Sequence, residues 1–379
     1  MNFDLTDDEK LIRDTAREFA QKELKPIAAQ IDKDHKIPDE IVAKMGELGL
    51  LGTYVPEEYG GAGTSFMAYV LVVEEISKVC ASSGVMISAH TSLCINPILA
   101  FGTEEQKKKY LPKLCSGERI GCILLTEPDA GSDAANVQTT VEEKDDHYLV
   151  NGNKIFVTNG GFRGIGILFA THDKSLRHKG IDAFILDLET EGVELLRNED
   201  KLGIRGTYTT AFGLDNVKIP KENLLGKKGE GFKIAMDTLD GGRVGIAAQA
   251  LGIAEGAFER ALEYSQERKQ FGKPISAFQA IQFKLADMKM RIEQARWVTY
   301  YAGWLKDAKR NFILESSIAK AAASEAATFV TKEALQVYGG YGYITEYEME
   351  RYYRDAKITE IYEGTNEIQR IVISKMLMK

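Results

Sequence analysis

Three segments of this chain carry side chains that could do chemistry together. The first is Ile361-Tyr362-Glu363-Gly364-Thr365-Asn366-Glu367-Ile368-Gln369-Arg370. Asn366 and Gln369 have the spacing of a capping box, which predicts a helix starting there. Glu363 and Gly364 then lie in the loop just before it. The free amides of that helix start could face an anionic or electron-rich group. Taken alone, Glu363 reads as a solvated loop carboxylate. The second segment, Leu125-Thr126-Glu127-Pro128-Asp129-Ala130-Gly131-Ser132-Asp133, leaves a strand for a loop of small and polar residues. Its hydroxyls and amides could hold a planar heterocycle rich in donors and acceptors. An ordinary β turn accounts for it as well. The third, Phe156-Val157-Thr158-Asn159-Gly160, puts an aromatic and a hydroxyl at a strand end and has the same two readings.

Other chemistries find little support. No GxxxxGK[ST] phosphate loop occurs. Gly161-Phe162-Arg163-Gly164-Ile165-Gly166 resembles a dinucleotide loop only loosely, because its surroundings are β rather than a βαβ unit. The five histidines form no HExxH, and no metal site is expected. Cys80, Cys94, Cys115 and Cys122 form no CxxC pair and read as small buried hydrophobes in a reducing compartment. A net charge of −8 disfavours sequence-independent nucleic-acid binding. No apolar run of about 18 residues is evident, so no membrane span is expected. The acidic start, with Asp4, Asp7, Asp8 and Glu9, matches neither a signal nor a transit peptide, and a cytoplasmic location is expected.

The elements that must position these segments fall into three textures. The 379 residues, 44% hydrophobic and 27% charged, suffice for a globular protein with a sizeable core. The first third is helical. Thr6 with Glu9 and Thr103 with Gln106 form capping boxes, Pro26 marks the exit of the first helix, and Tyr59-Gly60-Gly61-Ala62-Gly63 is a loop that could sit at a pocket mouth. The middle third is β-like at residues 120–126, 165–170, 181–186 and 209–214. Asn151-Gly152 between residues 148–150 and 155–157 predicts a hairpin with a tight turn. Long Ala-rich helices follow at 232–265, 277–307 and 312–338, with Gly241-Gly242 and Gly339-Gly340 breaking or joining them. The predicted domains are an N-terminal helical domain (1–118), a central, mostly antiparallel β domain (119–229) and a C-terminal helical bundle (230–379). The fold class is α+β.

In order and over essentially the whole chain, five motifs resemble those of the acyl-CoA dehydrogenases. They are Leu125 to Pro128 with Ala130 to Asp133; Phe156 to Gly160; Glu267-Arg268-Lys269-Gln270-Phe271-Gly272; Gln336-Val337-Tyr338-Gly339-Gly340; and Tyr362-Glu363-Gly364-Thr365. The short-chain and butyryl-CoA dehydrogenase branch is the most similar. The resemblance implies a C-terminal four-helix bundle, a homotetramer, FAD as cofactor, an acyl-CoA or enoyl-CoA substrate and an electron-transfer flavoprotein as partner.

By resemblance, residues 123–132 and 156–158 wrap the flavin ring, through Ile123, Leu125, Thr126, Ser132, Phe156, Val157 and Thr158. Many relatives carry Trp where Phe156 stands. Arg268, Phe271, Gln279, Gln336 and Gly340 match positions that hold the pyrophosphate and adenosine, partly across a subunit interface. Thr365 and Glu367 match residues beside the cofactor. Ser132, Asp240 and Arg243 match the coenzyme A site, with Tyr362 and Gly364 beside the substrate. The family places its base at the position of Glu363 or at that of Gly242. Glycine cannot be a base, so Glu363 is the candidate. It would take the α-proton as hydride leaves the β-carbon for flavin N5, giving the trans-2-enoyl-CoA, or run the reverse. Residues 89–96, Leu239 and Tyr362 are expected to build the pocket floor. A short straight acyl chain is expected, with reduction of a branched or aryl enoyl-CoA as the alternative. Less favoured are an acyl-CoA oxidase and a non-catalytic flavin-binding scaffold.

Overall fold

The computed structural model describes residues 4–378. Thr6 caps α1 (Asp7–Phe19) through the expected capping box, and the helix runs on as a π turn to Leu24 before Pro26. Then come α2 (Ala28–Asp34), α3 (Asp39–Glu47), α4 (Phe66–Ser77), α5 (Ala81–His90), α6 (Asn96–Phe101) and α7 (Glu104–Cys115), the last capped by Thr103 with Gln106. The glycine loop at 60–63 packs against Val55 and Pro112, which gives it a structural role. The expectation of no long apolar run is corrected by residues Ala81–Phe101. This helical stretch is long and apolar enough to cross a membrane by length and composition, with a mean hydropathy of 1.4 over an 18-residue window, yet 83% of that window is buried inside the protein. It is apolar because α5 is enclosed on every side, packing on α4 and α8. All four cysteines are buried and unpaired.

The middle domain contains β1 (Gly121–Leu124), β2 (Thr140–Glu143), β3 (His147–Thr158), β4 (Ile165–Thr171), β5 (Ile181–Asp187), β6 (Val193–Asn198), β7 (Thr209–Pro220) and β8 (Leu224–Leu225). They form an eight-stranded sheet in the order β6-β7-β3-β2-β4-β5-β8, with β1 parallel to β4. The hairpin predicted at Asn151-Gly152 is not there. Residues 147–158 are one strand, and both halves pair with β7, Val150 with Val217 and Gly152 with Leu214. The Asn-Gly pair makes a bulge instead. Gly152 has φ +155°, and a Cβ there would lie 2.5 Å from Thr139 Oγ1. Asn151 accepts the Asn216 amide across the bulge. The dipeptide therefore answers to a close approach, not to a chain reversal.

The last third holds α8 (Gly231–Glu267), the short pair β9 (Lys269–Gln270) and β10 (Lys273–Pro274), then α9 (Gln279–Asp307), α10 (Ile313–Tyr338), α11 (Met349–Ile358) and α12 (Asn366–Leu377). Gly241-Gly242 does not break α8, which passes through it as 37 continuous helical residues. Gly339, with φ +60°, does end α10. Packing between α8, α9 and α10 makes the bundle, and α4 lies on α8 and α9. Arg296 of α9 bridges buried Glu74 of α4 and Glu255 of α8.

One buried side chain ties the first domain to the sheet. His90 Nδ1 accepts the Gly121 amide at 2.7 Å and Nε2 donates to the Leu114 carbonyl at 3.1 Å. The Nδ1 contact needs the neutral ring, and burial holds its pKa down to about 4 against the Leu114 carbonyl, which favours the cation. The unfolded imidazole titrates near 6.5. Between these values the unfolded chain binds the extra proton, so stability falls as pH drops from 6.5 toward 4, by about 3 kcal/mol in full. His90→Gln keeps one acceptor and one donor and cannot titrate. Its melting temperature is expected to fall less than the parent's between pH 7 and 4.5; an equal fall would contradict this account.

Candidate active site

The 359–365 loop joins α11 to α12 beside the bundle. Glu363 has φ +51° and Gly364 φ +88°, two successive left-handed residues that turn the chain back on itself. That conformation is disfavoured for a glutamate, so the surroundings must enforce it. Gln369 Nε2 donates to the carbonyls of Glu363 and Gly364 at 3.1 and 2.9 Å. Lys320 of α10 donates to the Gly364 carbonyl at 2.8 Å and to Asn366 Oδ1 at 3.0 Å. The cap of α12 is Thr365, whose hydroxyl accepts the Ile368 amide, rather than Asn366. Asn366 is the first helical residue, its side chain turned inward to Lys320 and Ser324.

The clamped loop sends the Glu363 carboxylate against Gly242 of α8. A Cβ at 242 would collide with Glu363 Oε2 and would stand 2.9 Å from Leu93. The missing side chain is what makes room for the carboxylate, and this is also why a glycine lies inside an unbroken helix. Although the residue as a whole is half-buried, Oε2 is enclosed and has no hydrogen-bond partner among the described residues. Burial pushes the Glu363 pKa up to about 8, against the opposing pull of Lys320 and Arg243. Among the described residues, the amides of Glu363 and Gly364 donate to nothing. A carboxylate near neutral titration thus stands beside two unused donors. Tyr362 donates to Gln249 Oε1, and Gln249 Nε2 donates to the Ala81 carbonyl at 3.0 Å. Gln249 lies two turns along α8 from Gly242, on the same face. Leu239 is half-buried, one turn before Gly242. On the same helix Arg243 pairs with Asp240, and its Nε is buried with no partner among the described residues.

A second group gathers where β1 and β3 end. Glu127 accepts the amides of Gln138 and Thr139 and the Lys154 ammonium at 2.6 Å. Lys154, 0% exposed, also donates to the Leu125 carbonyl. This buried pair fixes the loop that leaves β1, and the Thr126 carbonyl then accepts the Ile155 amide at 2.9 Å. A second bulge in β3 follows between Lys154 and Val157. At it Phe156 takes φ +56° and turns outward, 57% exposed. Ile123, Leu125, Thr126 and Thr158 are half-buried, on strands β1 and β3 or just past β1, which pack together, so these residues lie along one rim. The Val157 side chain points into the core, leaving only its backbone for a ligand. Ser132 is exposed in the loop, which Asp133 ties down to Arg177.

The third group lies in a groove of about 460 Å³ lined by Tyr264, Arg268, Tyr338, Gly339, Gly340 and Tyr341. The Arg268 guanidinium lies 5.2 Å from the Tyr341 ring and has no carboxylate partner among the described residues. A Cβ at Gly339 or Gly340 would project into open space. Gln336, Gln279 and Phe271 are exposed nearby in sequence, Phe271 at 92%. Thr365 is occupied as the α12 cap, and Glu367 is exposed in the first turn of that helix.

The structure therefore brings Glu363, Gly364, Tyr362, Asp240 and Arg243 around one stretch of α8 and gathers the 123–126 and 156–158 residues at one rim. Arg268 and Gly340 lie together in a separate groove. Sequence reasoning missed Lys320, Gln249 and the Glu127–Lys154 pair. A lone Lys or Gln in a helix carries no spacing signal, and only the fold shows that these are buried.

Three family models match in succession. The acyl-CoA dehydrogenase N-terminal domain matches residues 6–118, the middle domain 122–217 and the C-terminal domain 229–378. The short-chain specific acyl-CoA dehydrogenase of Clostridium acetobutylicum is 50% identical over 379 residues, covering 100% of both chains. The solved butyryl-CoA dehydrogenase of Megasphaera elsdenii is similar at a TM-score of 0.98 and 48% identity, with 100% of both chains covered. A chain in a structure described as "Electron transferring flavoprotein of Acidaminococcus fermentans: Towards a mechanism of flavin-based electron bifurcation" is similar at 0.99 and 50% identity, again over 100% of both.

Proposed function

This chain belongs to the acyl-CoA dehydrogenase family, and from that premise we propose that Glu363 is the base in its α,β-dehydrogenation of a short-chain acyl-CoA. The product is the trans-2-enoyl-CoA, and electrons are exchanged with an electron-transfer flavoprotein. The reading rests on one observation above all: a carboxylate whose enclosed Oε2 has no hydrogen-bond partner among the described residues, beside backbone amides that donate to none of them.

The family's cofactor is FAD, and the residues present fit it. Arg268, with no carboxylate partner among the described residues, suits phosphate oxygens. Gly339 and Gly340 let a ligand approach the backbone closely. Phe156, Thr126 and Thr158 offer an aromatic face and two hydroxyls to a planar ring. When bound, FAD supplies the two-electron acceptor.

The chain's own part is proton abstraction and charge stabilisation. Glu363 Oε2 takes the α-proton of the thioester. Its pKa of about 8 lies close to working pH, where a base combines availability with driving force. The Glu363 amide donates to the thioester carbonyl oxygen as negative charge develops there. Gly242 leaves the space the carboxylate occupies. The hydrogen-bonded pair of buried Gln249 and half-buried Tyr362 supports a shallow pocket floor and thus a short chain such as butyryl. Asp240, Arg243 and Ser132 are assigned to coenzyme A.

We also propose a homotetramer. Phe283, Met290, Trp297, Tyr301 and Trp304 form an exposed apolar stripe along α9, which a second copy would cover. The exposed Phe271 supports a phosphate groove completed by a neighbouring subunit.

The test is a panel of saturated acyl-CoAs mixed anaerobically with the FAD-loaded protein. Butyryl-CoA is expected to bleach the flavin fastest, with electrons then passing to an electron-transfer flavoprotein. Bleaching only by long chains, or fast peroxide release in air, would contradict the reading.

A further inference from the structure

Lys320 is 0% exposed, and among the described residues no carboxylate lies within ion-pair distance of it. Burying an ammonium is costly unless it is paired, so an apolar residue would be the easier occupant of that place on α10. Its two acceptors, the Gly364 carbonyl and Asn366 Oδ1, both belong to the turn that carries Glu363. Asn366 is itself oriented by Ser324, one turn further along α10. The amine thus reaches across from the bundle to a turn whose backbone is strained at Glu363, and it holds the Gly364 carbonyl there. Gln369 holds the same carbonyl and that of Glu363, whose peptide plane carries the Gly364 amide, and among the described residues the amides of Glu363 and Gly364 donate to nothing.

We propose that Lys320 is a positioning residue for the reaction, its ammonium fixing the left-handed Glu363–Gly364 turn from α10 and setting a positive charge beside the segment that carries the base. The proposal rests on Glu363 being the base. The groups that face this carboxylate are Lys320 from α10, Arg243 from α8, Tyr69 from α4 and Tyr362 from its own loop. Lys320 in turn feels Glu363, Glu360, Glu367 and Arg243. Arg243 is already paired with Asp240, whereas Lys320 has no carboxylate of its own among the described residues. Its charge therefore opposes the effect of burial on Glu363.

The variants are Lys320→Gln, which keeps a donor without charge, and Lys320→Arg, which keeps charge on a longer donor. Flavin absorbance and melting temperature report loading and folding. The readout is the pH dependence of anaerobic bleaching by butyryl-CoA. For Lys320→Gln, the acid limb is expected to move up by about one pH unit, with roughly tenfold loss at pH 7 that is regained at high pH. For Lys320→Arg, the limb is expected to stay in place with a lowered plateau. An unmoved limb in Lys320→Gln, or a loss equal at every pH, would overturn the proposal. Should Lys320→Gln not fold, a limb displaced by a unit in Lys320→Arg would overturn it equally. Fast bleaching by Glu363→Gln would instead remove the reading on which the proposal rests, whatever Lys320 does.

Discussion

Glu363→Gln is expected to give a yellow, FAD-loaded protein that butyryl-CoA bleaches roughly 10³- to 10⁴-fold more slowly than the parent. Glutamine has nearly the same shape, so it can occupy the space beside Gly242 without collision. Its amide accepts no proton, so the α-proton has no base. The parent should also show an acid limb. Glu363 acts only when ionised, and its pKa is about 8, so the bleaching rate should rise with pH through that value. At two units below it, the rate should be about a hundredfold under the plateau. Glu363→Gln should lack that limb, its residual rate staying flat. Bleaching by the variant within tenfold of the parent would assign the base elsewhere. No second carboxylate stands at the other position the family uses, because Gly242 is there.

How much of this could be read in the sequence depends on the range of the interactions involved. The capping boxes at Thr6 and Thr103 lie within four residues of chain, and both form as the spacing predicts. Long helices with three- and four-residue apolar spacing likewise specify themselves. Glycine pairs mislead because they report two different needs. Gly339 supplies a left-handed φ and ends a helix, whereas Gly242 supplies an absent Cβ within one. The Asn151-Gly152 bulge has the same ambiguity, and only the pairing of both strand halves with β7 resolves it. The cap at Thr365 was displaced by one residue because Asn366 is drawn inward by Lys320. Glu363 could be singled out from its motif, but its enclosure depends on Gly242, Leu93 and Lys320, distant in sequence. Pairing between residues so far apart leaves no local periodicity to detect.

The Glu127–Lys154 pair is the clearest case, and it carries the second large effect. Lys154→Met is expected to destabilise the protein by about 3–5 kcal/mol. Methionine fills the space, so the loss is not one of packing. Glu127 remains, 3% exposed, holding the Gln138 and Thr139 amides with no cation beside it. The Leu125 carbonyl also loses its donor. The loop leaving β1 should then loosen, and with it the rim around Thr126 and Phe156, so FAD retention should fall together with stability. Adding Glu127→Gln removes the stranded charge while keeping an acceptor for one amide. The double variant is therefore expected to recover most of the lost stability, since two neutral groups no longer require each other. Urea denaturation of the four members of this cycle, with flavin absorbance followed in parallel, measures both effects. If Lys154→Met costs less than about 1 kcal/mol, the pair is not what holds the loop. If stability returns in the double variant but FAD retention does not, the ammonium serves the cofactor site through the Leu125 carbonyl rather than through Glu127.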